Sequence, residues 1–148
     1  LDHIQSLLPR LDFPIILFKD EPFDMIALTD LVLCASGTAT LMVGLMEKPG
    51  LIMYRMNALT AWFAKRLVKS TKYFGLINLV LDEEVMEELF QEQANVESLV
   101  DKLSLMIQNP LLRKNLSDKL KSARFKLGDK GANLRVCEEL ETYWGRKQ

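Results

Sequence analysis

The chain has 148 residues, 49% of them hydrophobic and 26% charged, with 19 Lys plus Arg against 20 Asp plus Glu and a net charge of −1. That is one domain's worth of polymer with enough apolar content for a packed core, which excludes a disordered chain, and the charge balance excludes a general nucleic-acid binder, whose domain would be clearly basic. A single histidine, His3, and two widely separated cysteines, Cys34 and Cys137, leave no parts for a His-based triad, a zinc site or a redox pair.

The first residues carry Asp2, His3, Gln5 and Arg10 in place of a basic stretch followed by an apolar one, so no targeting segment is expected. The longest uncharged run, 31–46, contains Ser36, Gly37, Thr38 and Thr40 and is too short and too broken to span a bilayer. A cytoplasmic location is the expectation. Leu1 stands where an initiator Met would, which suggests part of a longer protein.

After a partial helix at 4–8, four short apolar runs read as strands covered on both faces: 13–18 (FPIILF), 31–35 (LVLCA), 50–54 (GLIMY) and 74–81 (FGLINLVL). Helical spacing links them at 39–46 and again at 59–67, where Leu59, Trp62, Phe63, Arg66 and Leu67 follow an i, i+3, i+4 pattern. Strands alternating with helices predict a parallel α/β sheet. Past Asp82 the pattern predicts helices only. One covers 83–91, a second is capped by Asn95, a third opens at Asn109-Pro110 and runs to about residue 126, and a last covers 132–143 after Gly128 and Gly131. A doubly wound sheet usually brings further strands ahead of these, so the sheet reads as cut in mid-fold, with an edge expected to pair with another copy of the chain.

Charge falls in blocks. Residues 55–72 hold Arg55, Lys65, Arg66, Lys69 and Lys72 with no acid, whereas 82–101 hold eight acids and no base. The acids read as an ordinary solvated helix face, and no metal site is expected. The basic block has two readings: a surface for an anionic membrane or a lipid phosphate, or an amphipathic helix whose Trp62, Phe63 and Leu67 pack on the sheet while its lysines are solvated.

The turn Ser36-Gly37-Thr38-Ala39-Thr40 follows a buried strand and opens a helix. Free N–H groups in a helix's first turn, its dipole and nearby hydroxyls favour an anion there, although a plain capped turn has the same composition. Neither GxxxxGK[ST] nor GxGxxG is present. Asn78, polar inside an apolar run, either bonds the local backbone or faces a ligand.

Taken together, 36–41 (SGTATL), Lys48-Pro49, Tyr54-Arg55, Leu59-Thr60, Trp62, 64–69 (AKRLVK), Asn78 and 88–92 (ELFQE) resemble the lipid-A-disaccharide synthase family. Its pattern runs SGTATLE, a K/R-P step, a YR pair, LTxWxAKRLVK, LPN and an ELLQ(E) helix. The resemblance covers about 13–93, and the AKRLVK string behind Trp62 is its most specific part.

The resemblance implies a GT-B glycosyltransferase of two Rossmann-like domains, with this chain as most of the second. Residues 1–82 would be the donor-nucleotide-binding part, incomplete at its start, and 83–148 the helical C-terminal segment of the same domain. Such an enzyme moves diacylglucosamine from UDP-diacylglucosamine onto the 6-hydroxyl of diacylglucosamine 1-phosphate and releases UDP, without a cofactor or metal. By resemblance Ser36, Gly37, Thr38, Ala39 and Thr40 receive the diphosphate, and Arg55, Asn78 and Gln91 are further donor-site residues. Trp62, Lys65, Arg66, Lys69 and Lys72 would lie near the cleft or the cytoplasmic face of the inner membrane, from which acylated substrates are drawn.

The general base would belong to the absent N-terminal domain, leaving this chain inactive alone. Three positions depart from the family pattern: Met42 stands for a glutamate, Ile77 for the proline of LPN, and Asp82-Glu83 for a small Ala-Gly step. In related GT-B enzymes a carboxylate in the region of Met42 holds the ribose hydroxyls. These departures open the alternative of a degenerate, non-catalytic copy that acts as a membrane or protein contact module.

Overall fold

A computed structural model describes residues 13–35, 37–56 and 72–145. The elements in chain order are α1 (Pro22–Ala27), β1 (Val32–Ala35), α2 (Thr38–Leu45), β2 (Gly50–Tyr54), α3 (Leu76–Leu81), β3 (Glu87–Phe90), a 3₁₀ turn at Gln91–Gln93, α4 (Val96–Gln108), α5 (Pro110–Leu120), α6 (Ser122–Leu127) and α7 (Ala132–Gly145). The strands form one parallel sheet in the order β1-β2-β3. Ala35 is level with Met53, and Tyr54 with Phe90, so the carboxyl ends of all three strands share one rim.

β2 is the axis of the core. Side chains alternate across a strand, so Ile52 joins Val43, Ile77, Leu81, Met86, Leu120 and Ala123 on one face, under α2, α3 and α6. Leu51 joins Leu89, Ala94 and Met106 on the other, under α4 and α5. Leu51, Ile52, Ile77 and Met86 are fully enclosed, each contributing about 1.5–3 kcal/mol of apolar burial. Covering both faces is what a parallel sheet requires.

The α/β class and the helical C-terminal segment are as the sequence indicates, but two elements exchange type. The run 74–81 is a helix from Leu76, with Ile77, Asn78 and Leu81 buried at helical spacing. An all-apolar run carries no period to separate strand from helix. The acidic stretch 83–91, expected as a helix, instead supplies β3. Its carboxylates are engaged from a distance: Glu87 pairs with Lys102 at 2.7 Å, and Glu88 accepts main-chain N–H bonds from Phe74 and Gly75.

The sheet therefore crosses the expected 82/83 division. The run 13–18 forms no strand and is largely exposed, Ile16 at 75%; Pro14 lacks a ladder donor. The single helix expected after Asn109 is two, α5 and α6, meeting at Lys121. The expected elements at 4–8 and 59–67 lie outside the described residues.

Candidate functional site at the carboxyl rim of the sheet

In an open parallel sheet the strands' carboxyl ends face the crevice where ligands bind. Here that rim carries residues 37–40 after β1, Arg55 after β2 and Gln91 after β3. Ser36 lies outside the described residues. Gly37, the N-cap of α2, has φ +135°, a conformation that a side chain would strain, and a Cβ there would meet nothing within 4 Å. Glycine is thus needed for the turn of the chain, and the space beside it is open.

Thr40 is fully buried, and its hydroxyl donates to Gly37 O at 2.8 Å. Its backbone N–H points to the same oxygen at 3.1 Å. Thr40 therefore builds the turn, whereas Thr38 and Ala39 are exposed at the start of the helix, where first-turn N–H groups have no intrahelical acceptor. No acid occupies the first turn of this eight-residue helix, so its positive end is not neutralised locally.

Arg55 is exposed and makes no hydrogen bond or ion pair among the described residues. It follows Tyr54, two residues beyond Met53, the partner of Ala35, at the end of the strand adjacent to the turn. The next residue, Met56, is held by Gln91: its N–H donates to Oε1 at 2.9 Å and its carbonyl accepts from Nε2 at 3.0 Å. Behind this, the rings of Tyr54, Phe74 and Phe90 stack with centroids 5.2–6.0 Å apart.

Asn78 is 0% exposed, and the structure resolves the alternatives left by its sequence position. Its Nδ2 donates to Met86 O at 2.6 Å and to Glu88 Oε1 at 2.8 Å. Its Oδ1 accepts the N–H groups of Val85 and Met86, each at 3.0 Å. Two donors and two acceptor sites exhaust a primary amide, so Asn78 ties α3 to the entry of β3 and has nothing left for a ligand in this state. Glu88 is the residue that sequence reasoning missed. It was counted with the solvated acids, and only its proximity to Phe74 and Gly75, distant in sequence, reveals its role.

Lys72 is exposed, with Nζ 5.5 Å from the Tyr73 ring centroid; Trp62, Lys65, Arg66 and Lys69 lie outside the described residues. Lys48 of the Lys48-Pro49 step serves the fold, its Nζ donating to Ala27 O at 2.7 Å and Thr29 O at 2.9 Å. Met42, on α2, packs against the core.

A cavity of about 530 Å³ lies away from the rim, between the sheet and α4–α5, floored by Leu51, Leu89, Met106 and Leu116. Among the described residues no group of three or more His, Cys, Asp or Glu could hold a metal ion, and no helix is long and apolar enough to cross a membrane. Burial pushes the Cys34 thiol up to about 11, so it stays protonated at neutral pH and is no nucleophile.

A doubly covered, three-stranded parallel sheet with an exposed helix start at its carboxyl rim, and there a guanidinium without a partner among the described residues, belongs to the Rossmann-like α/β proteins. The family model for lipid-A-disaccharide synthetase matches residues 4–140. The chain is 35% identical over 124 residues to the lipid-A-disaccharide synthase of Gloeothece citriformis, covering 83% of this chain and 32% of that protein. With the synthase of Trichlorobacter lovleyi it is 33% identical over 136 residues, covering 92% and 35%. With that of Vibrio campbellii it is 38% identical over 101 residues, covering 68% and 26%. The chain belongs to the lipid-A-disaccharide synthase family, glycosyltransferases of lipid A biosynthesis, and spans about a third of the length of these relatives.

Proposed function

We propose that this chain is the donor-nucleotide-binding part of a lipid-A-disaccharide synthase, receiving the diphosphate of UDP-diacylglucosamine at residues 36–40 and Arg55. The observation that carries this reading is the open, glycine-dependent start of α2 after β1, beside the end of β2 and an arginine that has no partner among the described residues. In the transfer, the acceptor's 6-hydroxyl oxygen gives up its proton to the general base and bonds to the anomeric carbon as that carbon's bond to the UDP phosphate oxygen breaks. The electron pair leaves with UDP. Fixed backbone N–H groups and a guanidinium at the diphosphate stabilise that charge as it develops, with no reorganisation at the moment of reaction.

The remaining parts of the reading follow from the family. On this reading the acceptor, diacylglucosamine 1-phosphate, and the general base are held by a part of the enzyme other than these 148 residues, which bind the donor without turning it over. Both substrates carry acyl chains, and the excess of positive charge over 55–72 suits work at the anionic face of a membrane. Asn78 contributes by holding the approach to β3.

One observation favours the alternative of a non-catalytic copy: Met42 packs against the core and offers the ribose no carboxylate. Loss of a charge-assisted hydrogen-bonded pair costs roughly 1.5–3 kcal/mol, or about ten- to a hundredfold in affinity. Calorimetric titration with UDP, with uridine and with inorganic diphosphate tests the site. UDP and diphosphate are expected to compete for one site, with uridine weaker than UDP. Met42→Glu is expected to tighten UDP and leave diphosphate unchanged. Absence of binding in wild type and Met42→Glu alike would move the contact-module reading ahead.

A further inference from the structure

β3 and the turn that follows it hold the chain on both sides of the basic stretch 55–72. At the far end, the Glu88 carboxylate accepts Phe74 N–H at 2.8 Å and Gly75 N–H at 3.0 Å. At the near end Gln91 makes its two bonds to the main chain of Met56. The two ends differ in what they present: the near end is followed back, after one peptide bond, by Arg55, which has no partner among the described residues.

We propose that Gln91 is a positioning residue for anion recognition: by clamping the Met56 peptide it fixes where Arg55 leaves the sheet beside the start of α2, without itself touching the nucleotide. The proposal rests on the UDP site above. A single hydrogen bond would leave the peptide free to swing, whereas a donor and an acceptor from one planar amide fix both its position and its orientation. Each polar atom of Gln91 makes one of these bonds, which leaves one amide N–H and one oxygen lone pair over. Gln91 also holds φ +53°, a left-handed conformation uncommon for residues other than glycine, so the clamp sits on a turned main chain directly after β3. An arginine on a pinned main chain has fewer conformations to lose when it meets an oxyanion, and the gain appears in affinity.

The test is a double-mutant cycle on UDP affinity in the full 148-residue chain, with Gln91→Met removing both bonds at nearly constant volume. Gln91→Met alone is expected to weaken UDP about fivefold, the effect of one net hydrogen bond's worth of ordering, and to leave uridine binding unchanged. With Arg55→Ala already present, the same change is expected to have no further effect, because the clamp acts through the arginine. Gln91→Glu keeps the acceptor for Met56 N–H but sets a carboxylate against Met56 O, and serves as the second variant should Gln91→Met not fold by amide dispersion. Full additivity with Arg55→Ala, or equal losses for UDP and uridine, would overturn the positioning role. Unaltered UDP affinity in a folded Gln91 variant would do the same. Wild type binding no UDP would instead remove the nucleotide site itself, and this role with it.

Discussion

Asn78 offers the sharpest test of how α3 is held to the entry of β3. Its amide is 0% exposed and makes four hydrogen bonds, three of them to the main chain of Val85 and Met86. Val85 N–H keeps a second acceptor in Glu83 O at 2.9 Å, but Met86 N–H would lose the acceptor that Asn78 Oδ1 provides. Met86 is itself fully buried. One orphaned buried donor together with the other lost bonds makes Asn78→Ala about 3–5 kcal/mol destabilising, a large share of the ~5–15 kcal/mol that holds a domain.

Asn78→Asp separates shape from chemistry. It keeps the acceptors, forfeits both donations and sets a second carboxylate where Nδ2 met Glu88 at 2.8 Å. Two carboxylates in contact share a proton, so the pair's folded-state pKa rises above the unfolded value. The folded state then binds the proton more tightly, and the deficit of Asn78→Asp should shrink as pH falls from 7 toward 4. Urea unfolding followed by circular dichroism at both pH values measures this. A loss under 1 kcal/mol for Asn78→Ala at pH 7, or a deficit in Asn78→Asp that grows on acidification, would refute the network.

Other expectations follow from single contacts. A Cβ on Gly44 would collide with the buried Ile77 side chain, so Gly44→Ala should cost about 1–3 kcal/mol by overpacking, and Ile77→Val should recover part of it in the double variant, measured by urea unfolding. Asp82 caps α3 at φ 52°, where an acid also opposes the helix dipole; Asp82→Gly should stabilise by about 0.5–1 kcal/mol, and a fall in Tm would contradict that. With its thiol near 11, Cys34 is on the order of one part in three thousand thiolate at pH 7.5. Iodoacetamide should therefore modify the exposed Cys137 first, and peptide mass spectrometry showing Cys34 modified at an equal rate would count against its burial.

Local chemistry made part of this fold legible. Asn95 and Asn109 each accept the N–H three residues on, at 2.9 Å, and open the helices that their sequence contexts announce. Gly37 marked the turn between β1 and α2 because a glycine between an apolar run and a helical pattern has few other uses. The exchange of strand and helix between 74–81 and 83–91 was not legible. Nothing in FGLINLVL fixes a period, and the acids of EEVMEELF look solvated until Lys102 and the Phe74–Gly75 main chain are brought beside them.

The site divides in the same way. The glycine turn after β1 and Arg55 stand out as residue types at strand ends. The work of Asn78, Glu88 and Gln91 depends on main-chain groups that only the folded sheet brings within reach.

The decisive measurement is a UDP titration of the ¹⁵N-labelled chain followed by backbone amide NMR. Binding at the rim predicts shifts concentrated at Gly37, Thr38, Ala39 and Thr40 and at Arg55 and Met56, with the residues flooring the cavity under α4–α5 unmoved. Shifts confined to Leu51, Leu89 and Met106, or no shifts at saturating UDP, would contradict a nucleotide site at the carboxyl ends of the strands.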